Sequence, residues 1–387
     1  MDRADPRDVP SFLVLSASYG GGHQRVAEVL EAAWRSWLPR VEVEVVDFFE
    51  RFVNPVVNRL TRSLYVRSVR HAPRLWGAFY DATGHIRPDS PTQRFINRLG
   101  KSRLLAYLRE REFHVVVSVH PTPAGSLSEL KGEGKVHHPS AVVLTDYAVH
   151  SQWIHPYVDL YCVASEEVRA GLVDRGVPAD RIRVTGIPVD PAFAQPVDRQ
   201  EVCRRLGLDP SRTTVLVMAG AYAMLGGILD VHRVLLTLRK PVQAVFVCGR
   251  DQALVQRLRQ RSRRRPDFHV HGFVSNVHEW MAAADLLITK AGGITVSEAL
   301  VRELPMVIYR PIPGQEEWNT RMLAAAGAAW VARDPEDLRR ALDRLLADPG
   351  ALESMRAAAR RVRRPHAAQQ AAQAIAGLLP EACRGAH

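Results

Sequence analysis

Short apolar runs alternate with longer helical patterns along this chain. SFLVLSAS from Ser11, VEVEVVDFF from Val41, HVVVSVHP from His114, AVVLTDY from Ala141, LYCVAS from Leu160 and RIRVTGIPV from Arg181 read as strands. Several are apolar nearly throughout, as parallel strands buried on both faces are. Patterns of helical period separate them, such as VAEVLEAAWRSWL from Val26. Strand and helix in alternation predict a parallel sheet with helices on both faces. A stretch carrying Pro188, Pro191, Pro196 and Pro210 then reads as an interdomain connection. Beyond it the series repeats, with TTVLVMAG from Thr213, QAVFVCG from Gln243, FHVHGF from Phe268, DLLITKAG from Asp285, PMVIYRP from Pro305 and AAWVAR from Ala328. The expected fold class is α/β, with two doubly wound domains of similar size across a cleft. They cover residues 1–190 and 191–364, and an alanine-rich helix in 365–387 is able to pack back on the first domain.

Composition narrows the class of protein. The chain has 387 residues, 47% of them hydrophobic and 24% charged, enough apolar material for two cores. No apolar run reaches the roughly 18 residues that a membrane-spanning helix needs. The start, MDRADPRDVPSF, lacks the basic-then-apolar layout of a signal peptide, so a cytoplasmic protein is expected. Cys162, Cys203, Cys248 and Cys383 are scattered and form no CxxC pair, which argues against a zinc site or a disulfide framework. The formal charge of +11 points to an anionic partner. Its distribution is uneven. Arg51 to Tyr80 holds Arg51, Arg59, Arg62, Arg67, Arg70 and Arg74 and no acidic residue. Leu60, Leu64, Tyr65, Val69, Leu75, Trp76, Phe79 and Tyr80 are interleaved with them, and basic and aromatic residues on one amphipathic segment suit an anionic bilayer surface. A nucleic-acid partner would call for a recognisable nucleic-acid-binding module as well as basic charge, and no such module appears in the sequence.

Candidate chemistry lies where strands meet helices. The first strand runs into SASYGGGHQRVAEVL, where Gly20, Gly21 and Gly22 allow positive φ and close approach of a second group, with His23 directly after them. The second domain repeats the device in AGAYAMLGGI, with Gly220, Gly226 and Gly227, and in KAGGITVSEAL, where Gly292 and Gly293 open a helix carrying Ile294, Thr295 and Glu298. Helix N-termini hold diphosphates, and a carboxylate one turn further on can take two ribose hydroxyls. IPGQEEWNTRML then crowds Gln315, Glu316 and Asn319 into one strand-end loop, the amides and carboxylates that sugar hydroxyls need. The same residues also suit tight turns and a solvated loop.

Together these segments resemble glycosyltransferase family 28. KAGGITVSEAL followed by RPIPGQEEWN is similar to its donor-binding signature, and SASYGGGHQRVAE to the GGGH motif of its diacylglycerol branch. TDYAVHSQWIHPYVDLYCVASEEV, HGFVSNVHEWM and VTGIPVDPAF are similar in the same order. AGAYAMLGGI departs from the pattern in having fewer glycines at its start. The resemblance implies two Rossmann-like domains of the GT-B fold, a UDP-sugar donor bound mainly by the second and a lipid acceptor, diacylglycerol first, bound mainly by the first. It implies the diphosphate near Gly293, Ile294 and Thr295, the ribose on Glu298, the uracil near Phe273 and Val274, and the sugar, glucose or galactose, at Gln315, Glu316 and Asn319. Gly21, Gly22 and Gly220 join the donor-side turns. It implies inversion at the anomeric carbon, with His23 as first choice of general base and His120 and Asp146 as rivals or orienting partners. No DxD motif occurs, so no obligatory metal is expected. The enzyme is expected on the inner face of the cell membrane as a peripheral protein. The rival expectations are a GT-B enzyme with another acceptor, or a UDP-sugar epimerase.

Overall fold

The computed structural model describes residues 9–18, 21–56, 58–59, 73–84, 90–220, 225 and 227–383. Among these residues all twelve apolar runs form strands, in two six-stranded sheets with every pairing parallel. The first sheet has the order β2-β1-β3-β4-β5-β6, with β1 Ser11–Ser16, β2 Glu42–Asp47, β3 Val115–Ser118, β4 Ser140–Val143, β5 Leu160–Val163 and β6 Ile182–Val184. The second has the order β12-β11-β10-β7-β8-β9, with β7 Thr214–Met218, β8 Gln243–Val247, β9 Phe268–His271, β10 Leu286–Thr289, β11 Met306–Tyr309 and β12 Ala329–Ala332. Each sheet starts on an interior strand, β1 or β7, runs to the edge on one side, and returns across the starting strand to build the other side. That reversal is the topological switch point of a doubly wound fold.

The chain divides into two compact units, Met1–Asp190 with His366–His387, and Pro191–Pro365. The C-terminal return follows from packing. The helix Ala367–Ala376 buries Ala367, Ala368, Ala371, Ala372, Ile375 and Ala376, a stripe of small residues at helical period. That stripe lets backbone approach backbone. The helix lies against the helix Gly22–Trp37, and Trp34 Nε1 donates to Ala372 O at 3.0 Å. The Trp34 ring also stacks on Phe12 of β1 at 4.2 Å. A buried indole of this kind contributes roughly 1.5–3 kcal/mol through area alone and meets its polar need in one bond.

The segment from Phe48 to Leu108 is mixed in character. Phe48, Phe49, Phe52, Leu104, Tyr107 and Leu108 are core residues packed against β1 and β3, so both ends of that segment serve the fold rather than a surface. Val56 and Leu75 are exposed at 74% and 73%. Leu60, Arg62, Leu64, Tyr65, Arg67, Val69 and Arg70 lie outside the described residues, as do the side chains of Arg74, Trp76 and Phe79. No helix of the described residues is long and apolar enough to cross a membrane. All four cysteines are buried, and none forms a disulfide among the described residues.

Candidate active site

In an open parallel sheet, ligands bind beyond the carboxyl ends of the strands. At the end of β1 the chain enters the helix Gly22–Trp37 through Gly21, whose φ of +80° is left-handed. An L side chain pays about 1–2 kcal/mol there, and glycine does not. Gly20 lies outside the described residues. His23 is the second residue of that helix. Its Nδ1 is 2.7 Å from the carbonyl oxygen of Val119, just past β3. A carbonyl only accepts, so Nδ1 carries the proton and the lone pair sits on Nε2. Thr145 Oγ1 lies 3.3 Å from the same Nδ1.

His120 follows Val119 and caps the helix Pro121–Gly132, its Nδ1 accepting from the Thr122 amide at 3.2 Å. The rings of His23 and His120 meet edge to face at 4.9 Å, and Phe49 meets His120 in the same manner at 5.3 Å. Burial holds His120 well below the ordinary histidine range, and the neighbouring His23 lowers it further. His23 is lowered too, by burial first, against the charge of Asp146 and the Val119 hydrogen bond, which both raise it. Asp146 is 4% exposed and stands three residues past β4. His23, His120 and Asp146 therefore converge at the ends of β1, β3 and β4, neighbours in the sheet. The outcome is a neutral His23 imidazole near pH 7, with Nε2 able to take a proton. Trp153 stands 6.5 Å from the His23 ring.

In the second unit, β7 ends before Gly220, with φ +77°; residues 221–224 and Gly226 lie outside the described residues. β10 leads through Lys290, Ala291 and Gly292 into the helix Gly293–Val301. The first-turn amides of Gly293, Ile294 and Thr295 have no intrahelical acceptor and face the loop with the positive end of the helix dipole. A Cβ on Gly220 would lie 3.4 Å from Lys290 Cε, and one on Gly292 3.2 Å from Lys290 Nζ. The two glycines thus flank the lysine. Its ammonium pairs with Glu316, whose other oxygen accepts from the Ile312 amide at 3.0 Å. Asn319, fully buried, donates Nδ2 to Ala291 O at 2.8 Å. The helix Gln315–Ala326 therefore clamps the Lys290–Ala291 turn at two points. The Gln315 side chain lies outside the described residues. Glu298 is buried on a helix with no other charged residue, an uncommon setting for a carboxylate. Past β9, Phe273 is 62% exposed with the Arg250 guanidinium 5.7 Å from its ring, and Val274 beside it is half-buried. An exposed ring of this kind offers a stacking face.

Sequence reasoning did not select Thr145, the Val119 carbonyl or the Lys290–Glu316 pair. Thr145 had a signal in its place beside Asp146. A main-chain carbonyl has none, because its position comes only from strand pairing.

The chain matches the family model described as monogalactosyldiacylglycerol (MGDG) synthase over residues 23–189, and that of the glycosyltransferase family 28 C-terminal domain over residues 214–374. It is 34% identical over 367 residues to the processive diacylglycerol beta-glucosyltransferases of Bacillus cereus and Bacillus thuringiensis, covering 95% of this chain and 93% of theirs. Among solved structures it is similar to MurG of Acinetobacter baumannii, with TM-score 0.61 and 16% identity over 95% of this chain and 99% of that one. It is also similar to Anabaena Alr3699/HepE in complex with UDP and glucose, with TM-score 0.56 and 14% identity over 95% and 100%. Those two likenesses establish the fold, two Rossmann-like units of the GT-B class. With both halves matched in chain order and a third of positions identical over nearly the full length, the chain belongs to the family 28 glycosyltransferases, in the branch of the diacylglycerol glycosyltransferases.

Proposed function

We propose that this protein is an inverting glycosyltransferase that moves a hexose from a UDP-sugar to diacylglycerol and so makes a β-linked membrane glycolipid. Glucose is the first choice of sugar, after the names of the Bacillus relatives. The observation that carries the mechanism is the locked tautomer of His23, which leaves Nε2 as the proton acceptor. The acceptor hydroxyl gives its proton to Nε2 as its oxygen bonds to the anomeric carbon. The bond from that carbon to the β-phosphate oxygen breaks, and UDP leaves with the electron pair. Attack opposite the leaving group inverts the configuration. Asp146 stabilises the imidazolium that forms, and His120 stays neutral beside it.

On the donor side, the amides of Gly293, Ile294 and Thr295 face the diphosphate, and the absence of side chains at Gly220 and Gly292 gives it room. The growing charge on the leaving group is stabilised where donors are already in place. Glu298 takes the ribose, Phe273 and Val274 the uracil, and Gln315, Glu316 and Asn319 border the hexose. The acid-free run from Arg51 to Tyr80 carries the enzyme onto the anionic inner face of the cell membrane, where the acceptor resides.

Incubation with UDP-glucose or UDP-galactose and diacylglycerol, followed by mass and NMR analysis of the lipid, tests this. The expected result is a β-hexosyl diacylglycerol with one UDP released per sugar. An α-linked product would refute inversion, and a bound donor with no lipid product would refute the acceptor.

A further inference from the structure

Among the described residues, Glu303 and Arg310 have positive φ without being glycine. Glu303 lies just past the helix Gly293–Val301, where a left-handed residue commonly ends a helix. Arg310, at φ +48°, has no such reason. It directly follows β11 and precedes Pro311, and a proline asks the residue before it for extended backbone. The conformation is therefore strained, and its neighbours hold it in place. The Arg310 amide donates to Ala332 O at 3.0 Å, and two residues on the Ile312 amide donates to Glu316. Strain held in this way marks a place where the side chain has work to do.

The Arg310 side chain reaches the helix Ile228–Leu236, which follows β7. Its Nη1 donates to Asp230 Oδ2 at 3.0 Å, in the first turn of that helix. A Cβ on Gly227, the N-cap, would fall 2.3 Å from the same Nη1. The guanidinium thus rests on the bare backbone of the cap, and a side chain at 227 would displace it. β11 and β7 stand on either side of β10, so Arg310 bridges the end of β10, where the Lys290 turn enters the helix Gly293–Val301. The order of this sheet reverses between β7 and β10, and a doubly wound sheet takes its ligand at that reversal.

The charges here do not cancel. Asp230 is shared, because its Oδ1 lies 3.4 Å from Arg233 Nη1, and two guanidinium groups against one carboxylate leave a net positive charge. The Arg310 side chain is 38% exposed, and Asp230 is its hydrogen-bond partner among the described side chains. The remaining N–H groups of its planar fork suit the oxygens of a phosphate. Lys290, beside Gly220, differs in having its charge matched by the buried Glu316. We propose that Arg310 binds the diphosphate of the donor at the reversal between β7 and β10 and offsets the negative charge that grows there as the sugar departs. The assignment rests on the donor reading above and adds a cationic side chain to the main-chain amides of Gly293, Ile294 and Thr295.

UDP binds without an acceptor, so the test uses UDP in calorimetric titration and uridine in ligand-observed NMR, on the full chain. Arg310→Met should weaken UDP by roughly ten- to hundredfold, the loss of a hydrogen bond to a charged group, and leave uridine unchanged. Arg310→Gly should weaken UDP as far, although glycine adopts φ +48° without strain and keeps the turn. It also guards against misfolding, since its thermal transition should be no lower than that of Arg310→Met. Wild-type UDP affinity in Arg310→Gly would show that the residue only shapes the turn, and the proposal would be overturned. Equal loss of UDP and uridine in both variants, or unchanged UDP affinity in a folded Arg310→Met, would overturn it as well. A wild-type protein that binds UDP no more tightly than uridine would instead sink the donor reading, and the role of Arg310 with it.

Discussion

Glu316→Gln isolates the clamp that holds the Lys290 turn. The glutamine keeps the shape and can still accept from the Ile312 amide, which is 3.0 Å from the carboxylate. What it removes is the charge opposite Lys290. The two side chains are 20% and 8% exposed, so solvent screens the pair only weakly. A hydrogen bond to a charged group in such a site contributes about 1.5–3 kcal/mol. The unit concerned, Pro191–Pro365, is of a size for which 1 kcal/mol moves Tm by about 2–4 °C. The expected fall is therefore about 3–12 °C. Differential scanning calorimetry reads it, with the transition of this unit recognised by its upward shift on adding UDP. Lys290→Met should fall by a similar amount, and the double variant by less than the sum, with a coupling of about 0.5–3 kcal/mol. Uridine affinity should stay at the wild-type level, because Phe273, Val274 and Glu298 are untouched. A Glu316→Gln transition within about 1 °C of wild type would show that the pair holds nothing.

His23→Ala should lower kcat by about two to four orders of magnitude with UDP affinity unchanged in a calorimetric titration, and retention of more than about a tenth of wild-type turnover would remove it as the base. Because burial lowers His23 below its ordinary 6.5, the acid limb of kcat/KM should fall below that pH. Asp146→Asn, which removes the charge raising it, should move the limb further toward acid, and a shift toward alkali would contradict the arrangement. His120 is likewise lowered, so the unfolded chain binds its proton more readily than the folded one. Its contribution to stability is complete above the unfolded value near 6.5 and is lost as pH falls below it, which should appear as a smaller drop in Tm between pH 7 and pH 5.5 in His120→Asn than in wild type. Replacing Arg62, Arg67, Arg70 and Arg74 with glutamine should weaken sedimentation with anionic vesicles, by about 1 kcal/mol per residue at low salt, and equal sedimentation of variant and wild type would place the membrane face elsewhere.

The strands were legible because burial on both faces leaves a plain mark, an unbroken apolar run such as SFLVLS or PMVIY. The helix Ala367–Ala376 was legible as a helix for a similar reason, since its small residues recur at helical period. The site was legible by residue type and position but not by role. Three glycines before His23 announce a turn, yet nothing near residue 23 says which of its nitrogens carries the proton. That is decided by the carbonyl of Val119, 96 residues away, brought level with it by the pairing of β1 with β3, in which Leu15 stands opposite Ser118. One further register step, Ser118 opposite Val142, sets the Thr145–Asp146 end beside both. The same holds for Glu316. Its local sequence reads as one more polar group for a sugar, while the structure commits one oxygen to Lys290 and the other to a main-chain amide. Side chains that meet only through strand register belong to no local pattern. Their chemistry becomes readable when the two sheet orders are known, and it is then fixed by single contacts such as Nδ1 of His23 on Val119. For the same reason, the proton-accepting face of His23 should be more sensitive to a shift of β3 against β1 than to any change in the glycines that precede it.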